Sequence, residues 1–337
     1  MKKIYIKTTE TCQLQCSHCY IGDNRKKLEL FDEDQTIIWL KDYFEKIKDE
    51  AVISFHGGEP FLCPAYKIKK VIEAFPNCEF DATSNLCFKI TEDIEDIILN
   101  YFKYEGNSFI KTSWDYKIRF KDDNQVKLWE NNVRYLISKG VRVKVNICLT
   151  SLLIQEVNTK DLIKYLLENL GIRDVNFERL TDNTTSDKSL IPDYDEQDNW
   201  LRDFYNNNNN KLRFDNAIDI CHAIDGDYIN CRKRQCMSDV ITINADGTIG
   251  GCPNSSVSNP YTDIYTPYDY DNEKLQELIR IEKTKKPECY YCDLYTICNG
   301  DCHQLSWQGE KCPSPKKFIR RVMHVVEREK KTGIFNV

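Results

Sequence analysis

No run of the chain is apolar over the ~18 residues that a membrane-spanning helix needs. A large excess of basic charge is also missing. The 337 residues carry 47 Lys and Arg against 53 Asp and Glu, a net charge of −6. That balance gives no reason to expect nucleic acid as the main partner. The two signs are interspersed, as on an ordinary solvated surface. Met1-Lys2-Lys3 has the basic start of a secretory signal, but polar residues and cysteines stand where its apolar core would be. The expected chain is soluble, globular and cytoplasmic, with neither a membrane nor a nucleic acid as partner. Histidine is scarce, with five in all, and none lies at zinc-finger spacing from a cysteine pair; His303 merely adjoins Cys302.

Cysteine is what the sequence has in excess. Sixteen cysteines are more than an intracellular enzyme of this size needs for packing. Disulfides belong mainly to small secreted domains, and clustered cysteines in a reducing compartment point to metal. They form two groups, Cys12 to Cys19 and Cys221 to Cys312. Cys63, Cys78, Cys87 and Cys148 stand singly between the groups and read as small buried apolar residues. The first group is spaced C-x3-C-x2-C over Cys12, Cys16 and Cys19. Three thiolates are one short of the four that usually hold an iron–sulfur cube, which leaves one iron able to take a substrate or cofactor.

Strand and helix patterns alternate through the first 180 residues. Ile4-Tyr5-Ile6-Lys7-Thr8-Thr9 reads as a strand, so the triad sits on the loop leaving it. Further strands are expected over 51–55, 79–83, 108–113, 141–149 and 175–180. Helical spacing marks 31–49, 66–75, 90–102, 125–139 and 161–170, with Gly140 and Gly171 as stops. Six such units imply a parallel sheet with right-handed crossovers and the ligand at the carboxyl ends of the strands. The triad, Gly57-Gly58-Glu59, Ser84-Asn85, Ser113 to Asp115 and Glu178 all fall at that edge. Any one of these clusters alone is ordinary turn chemistry.

Residues 181–189 are polar and turn-rich, 195–205 suit a short helix, and Asn206 to Asn210 reads as a loop tip or spacer. A domain boundary is expected near residue 215. Beyond it, Val240-Ile241-Thr242-Ile243 and Ile249 flank Asn244-Ala245-Asp246-Gly247, a hairpin with an Asp-Gly turn. A final amphipathic helix is expected over 314–330. The cysteines here run Cys231, Cys236, Cys252, then Cys289-x2-Cys292-x5-Cys298-x3-Cys302, then Cys312. Eight thiolates suffice for two complete four-thiolate sites. Cys289-x2-Cys292 alone would suit half a zinc knuckle, but two more clusters are the more economical reading after an incomplete iron–sulfur triad.

These residues resemble the radical S-adenosylmethionine superfamily over nearly the whole chain. The signature triad with an aromatic residue, His18, before its last cysteine is highly specific, and Gly57-Gly58-Glu59-Pro60 matches the family's GGEP motif. The second half resembles the SPASM extension. The pattern C-x9-15-G-x4-C, a gap, C-x2-C-x5-C-x3-C, a gap and C is met at every position.

The resemblance implies an α/β fold, a partial (β/α)6 TIM-type barrel over 1–215. A cysteine-rich SPASM domain with a β-hairpin follows over 216–315, then a C-terminal helix and tail over 316–337. It implies three 4Fe–4S clusters and S-adenosyl-L-methionine. Cys12, Cys16 and Cys19 would hold the first cluster, whose open iron is chelated by the amino and carboxylate groups of the cofactor's methionine part. Gly57, Gly58 and Glu59 would lie against that amino group, Ser113 near the carboxylate and ribose, and Arg119 at the carboxylate through its fork of donors. Asn85 and Asn146 would reach the ribose or adenine. By order, Cys231, Cys236, Cys252 and Cys302 would hold one auxiliary cluster, and Cys289, Cys292, Cys298 and Cys312 the other. Cys221 is left over: it could replace Cys231, bind nothing, or serve in the site.

The implied chemistry is abstraction of a hydrogen atom from an unactivated C–H bond by a 5′-deoxyadenosyl radical, with the auxiliary clusters taking an electron from the substrate radical. SPASM enzymes mostly modify peptides and proteins. The expected activity is oxidative modification of a ribosomally made peptide, closing a thioether or carbon–carbon crosslink, with electrons from a flavodoxin or ferredoxin. With the triad at residue 12, an N-terminal leader-binding domain is not expected, so leader binding would fall to a separate protein or the second domain, or not occur. Alternatives are the anaerobic sulfatase-maturing type, which carries an aspartate where Cys252 is followed by Pro253-Asn254 here, and small-molecule dehydrogenation. No residue stands out as catalytic acid or base; Tyr116, Glu178, Cys221 and His222 are possible site residues. A zinc-bearing scaffold without catalysis is the alternative of another class. Anaerobically purified protein is expected to be brown from iron–sulfur absorption, whereas a colourless protein holding only zinc would end the radical reading.

Overall fold

Along the first strand, Ile4 and Ile6 point one way and Tyr5 and Lys7 the other, and that alternation organises the first half of the molecule. The computed structural model describes residues 2–22, 29–48, 51–181 and 187–332. In chain order the described strands are β1 (Lys2–Thr9), β2 (Ala51–Gly57), β3 (Glu79–Ser84), β4 (Lys103–Tyr104), β5 (Asn107–Ser113), β6 (Arg142–Leu149), β7 (Asp174–Arg179), β8 (Arg213–Phe214), β9 (Val240–Ile243), β10 (Thr248–Gly250) and β11 (Thr262–Asp263). They belong to a mixed α/β fold with a large parallel sheet. The chain forms two compact units, interleaved in sequence. One comprises Met1–Ser113, Arg119–Val143 and Gln235–Glu282; the other Trp114–Ile118, Lys144–Arg234 and Lys283–Val337.

In the first unit β9, β1, β2, β3 and β5 lie side by side, each pair parallel. The hairpin expected around Asp246-Gly247 is present as antiparallel β9 and β10, with β11 added at its far side. The register puts Ile241 beside Ile4, Ile4 beside Ile53, and Ile53 beside Phe80. This face is apolar and buried, with Phe55 stacked against Phe80 and Phe102 at 6.2 and 5.9 Å between ring centroids. Helix Asp123–Ser138 turns Trp129, Val133 and Leu136 inward. The Trp129 indole N–H donates to Thr112 Oγ1 at 2.9 Å, so a fully buried indole keeps its hydrogen bond.

The other face is polar. The register aligns Thr242, Tyr5, Ser54 and Asp81 across four strands, and Lys7 with His56. The Ser54 hydroxyl donates to Asp81, and Lys111 Nζ lies 2.6 Å from the same carboxylate. The buried Asp81 carboxylate is thus met by a cation and a hydroxyl, as its low-dielectric surroundings demand.

The second unit contains parallel β6, β7 and β8. Phe177 meets Trp200, Phe204 and Phe214 edge-on at 5.1, 4.7 and 5.7 Å. The final helix is Lys316–Thr332. Both Asp198 carboxylate oxygens accept from its first N–H groups, Lys317 and Phe318, at 2.8 Å each.

Several elements differ from expectation. The asparagine run is not wholly a loop: helix Tyr194–Asn208 continues through three of its residues, and Asn209 and Asn210 take left-handed conformations after it. Asn208 is buried and closes the turn by bonding both the N–H and the C=O of Leu212. The helix expected over 161–170 starts at Thr159 and widens to a π-turn over Tyr165–Leu170. Helices Asp215–Ile224 and Glu273–Lys283 were not expected. Asp49, at the end of an expected helix, and residues 182–186 of the polar stretch lie outside the described residues. No described helix is long and apolar enough to cross a membrane. Truncating Trp129 to Ala should destabilise the chain by about 3–5 kcal/mol, measured by urea unfolding.

Candidate functional site

The loop that leaves β1 folds back on itself. The Cys19 N–H donates to Cys16 O at 3.2 Å, and Gly22 N–H to Cys19 O at 3.1 Å. This coiling turns the three thiols into one apolar nest, where Cys12, Cys16 and Cys19 pack with Leu14, Cys87 and Phe120. Cys12 Sγ accepts from Leu14 N–H at 3.4 Å and from Asn85 Nδ2 at 3.5 Å, while the Cys16 thiol donates to Arg119 O at 3.6 Å. Burial pushes the Cys12 thiol up to about 12, with the Glu59 carboxylate and the other two cysteines adding to the effect. Three soft donors in one small nest fit an iron–sulfur cube lacking a fourth protein ligand.

The turn after β2 lies directly on this loop. Gly58 N–H donates to Thr9 O at 2.8 Å and Glu59 N–H to Thr11 O at 2.9 Å. A Cβ on Gly57 would stand 2.2 Å from Thr9 O, and one on Gly58 2.1 Å from Thr11 O. Gly57 also has φ of +125°, outside the reach of other residues. Both glycines are therefore required by the approach of two backbones.

Glu59 is fully buried. Its carboxylate accepts from Ser84 Oγ at 2.8 Å, Asn85 N–H at 2.7 Å and Phe61 N–H at 3.3 Å. Burial nonetheless raises it to about 7, against those hydrogen bonds and the Arg119 charge. It ties the turn after β3 to the turn after β2. Asn85 is engaged in turn: Oδ1 accepts from Gln13 Nε2 and Cys87 N–H at 3.0 and 2.8 Å, and Nδ2 faces Cys12. It braces the triad loop, a role its place in the sequence did not indicate. His18 is buried in the same unit, and Ser113 ends β5 half-buried. Asn146 lies on β6 in the second unit, where its C=O accepts from Trp114 N–H at 3.0 Å.

Beside the triad, Lys7 is fully buried, 3.9 Å from Glu10 and 4.8 Å from the centre of the Tyr20 ring. Burial pulls it down to about 8, which leaves it a cation at neutral pH. The Tyr20 hydroxyl meets His56 Nδ1 at 3.1 Å. Burial, then the Lys7 and Lys111 charges, lowers His56 to about 3, so that imidazole is neutral.

The later cysteines are held by equally specific contacts. In the first unit, both oxygens of buried Glu282 accept from Cys236 N–H and Met237 N–H, at 2.7 and 3.0 Å. A Cβ on Gly251 would lie 3.2 Å from Cys236 O, so the strand leading to Cys252 packs on the Cys236 turn. In the second unit, Cys231 and Cys302 share a hydrogen bond that, with burial, raises the Cys302 thiol. Cys289 acts electrostatically on Cys312, and Cys312 on Cys298. Cys298 donates to Ser314 Oγ at 3.2 Å. Between Cys298 and Cys302, Asn299, Gly300 and Asp301 all have positive φ. Arg179 clamps Asp301 bidentately at 3.0 and 2.5 Å, and Arg234 takes Asp301 O at 3.0 Å. Against the desolvation of full burial, Arg179 and Arg232 hold the Asp301 carboxyl well below the usual range.

The remaining candidates have local partners. Tyr116 donates to Glu156 at 3.2 Å, exposed Glu178 accepts from Asn176 at 2.6 Å, and His222 meets Asp227 at 3.0 Å. Cys221 sits half-buried on helix Asp215–Ile224, its thiol raised to about 11 by burial. Glu282, Arg179 and Arg234 escaped the sequence reading because their partners are far off in the chain and no spacing rule links them.

No family model and no curated protein sequence matches the chain. Solved structures do. The structure of anSMEcpe with bound AdoMet is 16% identical, covers 99% of this chain and 100% of that chain, and superposes with a TM-score of 0.78. The structure of anSMEcpe with bound AdoMet and Cp18Cys peptide is 15% identical over 98% of each chain, at 0.79. Streptococcus suis SuiB bound to S-adenosylmethionine is 18% identical over 89% of this chain and 72% of that one, at 0.60. The chain has their fold. That likeness supports the resemblance carried by the cysteine spacing and the GGEP motif.

A buried acid raised to about 7 makes a pH prediction. Its contribution to stability is fully present below the ordinary value of 4.5 and is lost as pH rises through about 7. Glu59→Gln cannot ionise. In metal-free protein its stability relative to wild type should rise between those pH values by up to about 3 kcal/mol, measured by urea unfolding. An unchanging difference across that range would show that Glu59 does not titrate there.

Proposed function

We propose that this chain is a radical S-adenosylmethionine enzyme with a SPASM extension that oxidatively modifies a ribosomally synthesised peptide, closing a thioether or carbon–carbon crosslink. One observation carries the reading: the three-thiol nest and the Gly57-Gly58-Glu59 turn are joined backbone to backbone through Thr9 and Thr11. The likeness in fold to anSMEcpe with bound AdoMet and Cp18Cys peptide, and to SuiB bound to precursor peptide SuiA, supports a peptide or protein as substrate.

When bound, the first cluster and S-adenosylmethionine supply the hydrogen-atom abstraction. Cys12, Cys16 and Cys19 would hold that cluster. Gly57 and Gly58 hold their turn against β1 with no side chain between. Glu59, with Oε2 accepting only from Asn85 N–H among the described residues, retains a lone pair for an ammonium group. Ser113 and Arg119 would meet the cofactor's carboxylate, Asn85 and Asn146 its ribose or adenine, and His18 would border the cofactor. Cys231, Cys236, Cys252 and Cys302 would hold one auxiliary cluster, and Cys289, Cys292, Cys298 and Cys312 the other. The paired placement of Cys231 with Cys302, and of Cys289 and Cys298 with Cys312, supports that division. A flavodoxin or ferredoxin would supply electrons, and a separate protein could bind a leader segment.

Cys16→Ala should abolish 5′-deoxyadenosine formation and remove roughly a third of the iron, since two of the three proposed clusters remain. Turnover surviving that change would refute the assignment of the triad. The substrate class is tested by anaerobic co-expression with the product of a small neighbouring open reading frame. Loss of hydrogen mass from that peptide is the expected result, and an unchanged mass counts against the pair.

A further inference from the structure

Lys7 is the buried cation nearest in sequence to the triad, and its ion pair with Glu10 is a loose one. Its Nζ is shielded from solvent and donates a hydrogen bond to no atom of the described residues. Glu10 stands 3.9 Å away, beyond hydrogen-bond distance, and the Tyr20 ring lies beneath the ammonium at 4.8 Å. A buried ammonium so loosely met is costly unless a further negative group faces it. The groups positioned to provide that charge are cysteines. Cys19 and Cys252 lie within electrostatic reach of the Lys7 ammonium, as Cys12, Cys19 and Cys252 do of Tyr20, and each would carry negative charge there as a metal-bound thiolate. Asp246 on the hairpin turn is the remaining anion acting on Lys7. The parallel pairing of β1 with β9 brings this about, because it sets the hairpin carrying Cys252 beside the strand carrying Lys7.

We propose that Lys7 is a fixed counter-charge shared by two iron–sulfur clusters, the one held through Cys19 and the one held through Cys252, and that it raises the reduction potential of both. The inference rests on the cluster assignments above. Thiolate-ligated clusters are anionic, and reduction adds one electron and one further negative charge. The lysine exchanges no proton in the process. A nearby cation in a low-dielectric setting favours the more negative form. Tyr20, as the floor beneath Nζ, keeps the ammonium in place.

The test is EPR-monitored potentiometric titration of the full chain, loaded anaerobically, with iron content and thermal melting checked for each variant. Lys7→Met and Lys7→Gln should shift the midpoints of the first cluster and of the Cys252 cluster to more negative values. Lys7→Arg should leave both near wild type. The cluster of Cys289, Cys292, Cys298 and Cys312 should stay fixed in all three and serves as the internal reference. Fully loaded Lys7→Met or Lys7→Gln protein with unmoved potentials overturns the inference. Loss of iron from both neutral variants, with Lys7→Arg retaining it, supports a counter-charge; loss from all three assigns Lys7 to packing and overturns it. A wild-type chain that takes up no iron overturns the underlying functional reading, a result distinct from unmoved potentials in loaded protein.

Discussion

Two carbonyl oxygens, those of Thr9 and Thr11, receive the N–H groups of Gly58 and Glu59 at 2.8 and 2.9 Å. Most of the proposed site depends on that contact. It fixes the loop leaving β1 against the turn leaving β2, and both glycines are needed because any Cβ would enter the space of those oxygens. Once the two turns are joined, Glu59 lies buried where it can reach the turn after β3, and Asn85 on that turn reaches Cys12. Three consecutive strand ends are thus locked by a chain of short contacts running from backbone to carboxylate to amide to sulfur. A site built on strand ends in this way holds its donors more tightly than one built on a single loop.

The buried charges follow the same logic. Glu59, Lys7 with Glu10, and Arg179 with Asp301 each remove ionised groups from water, which adds little or nothing to net stability. All of them lie near a cysteine proposed as a ligand. Arg179 and Asp301 brace the loop between Cys298 and Cys302, where three residues in succession take left-handed conformations. Such a loop costs conformational energy, and a bidentate ion pair at its last residue, with Arg234 on the Gly300 and Asp301 carbonyls, helps hold it.

The parts of the site whose chemistry dictates residue type at fixed spacing were legible in the sequence: the triad, the two glycines with Glu59, and the later cysteines. The strands β1, β2 and β3 were legible too, as short apolar and β-branched runs bounded by turn residues. What depends on distant partners was not. Asn85 reads as a turn residue facing a ligand, yet its amide braces Gln13 and Cys12. The parallel pairing of β9 with β1 has no local signal, since the hairpin pattern fixes β9 against β10 and says nothing of its other edge. The asparagine run misleads in the opposite direction, because composition favours a loop while the buried Asn208 amide satisfies the helix end.

Burial makes thiolate formation at Cys12 unfavourable, yet thiolates are what a cluster needs. The conflict is resolved by the surroundings of the nest. Cys12, with its thiol raised by burial, packs as a small apolar group beside Cys16, Cys19, Leu14, Cys87 and Phe120. In the proposed cluster site, metal ligation would replace the thiol proton with a far stronger positive charge, which reverses the preference. Donors held from below, by Leu14 N–H and the Asn85 amide at Cys12, stabilise the charged sulfur once it forms.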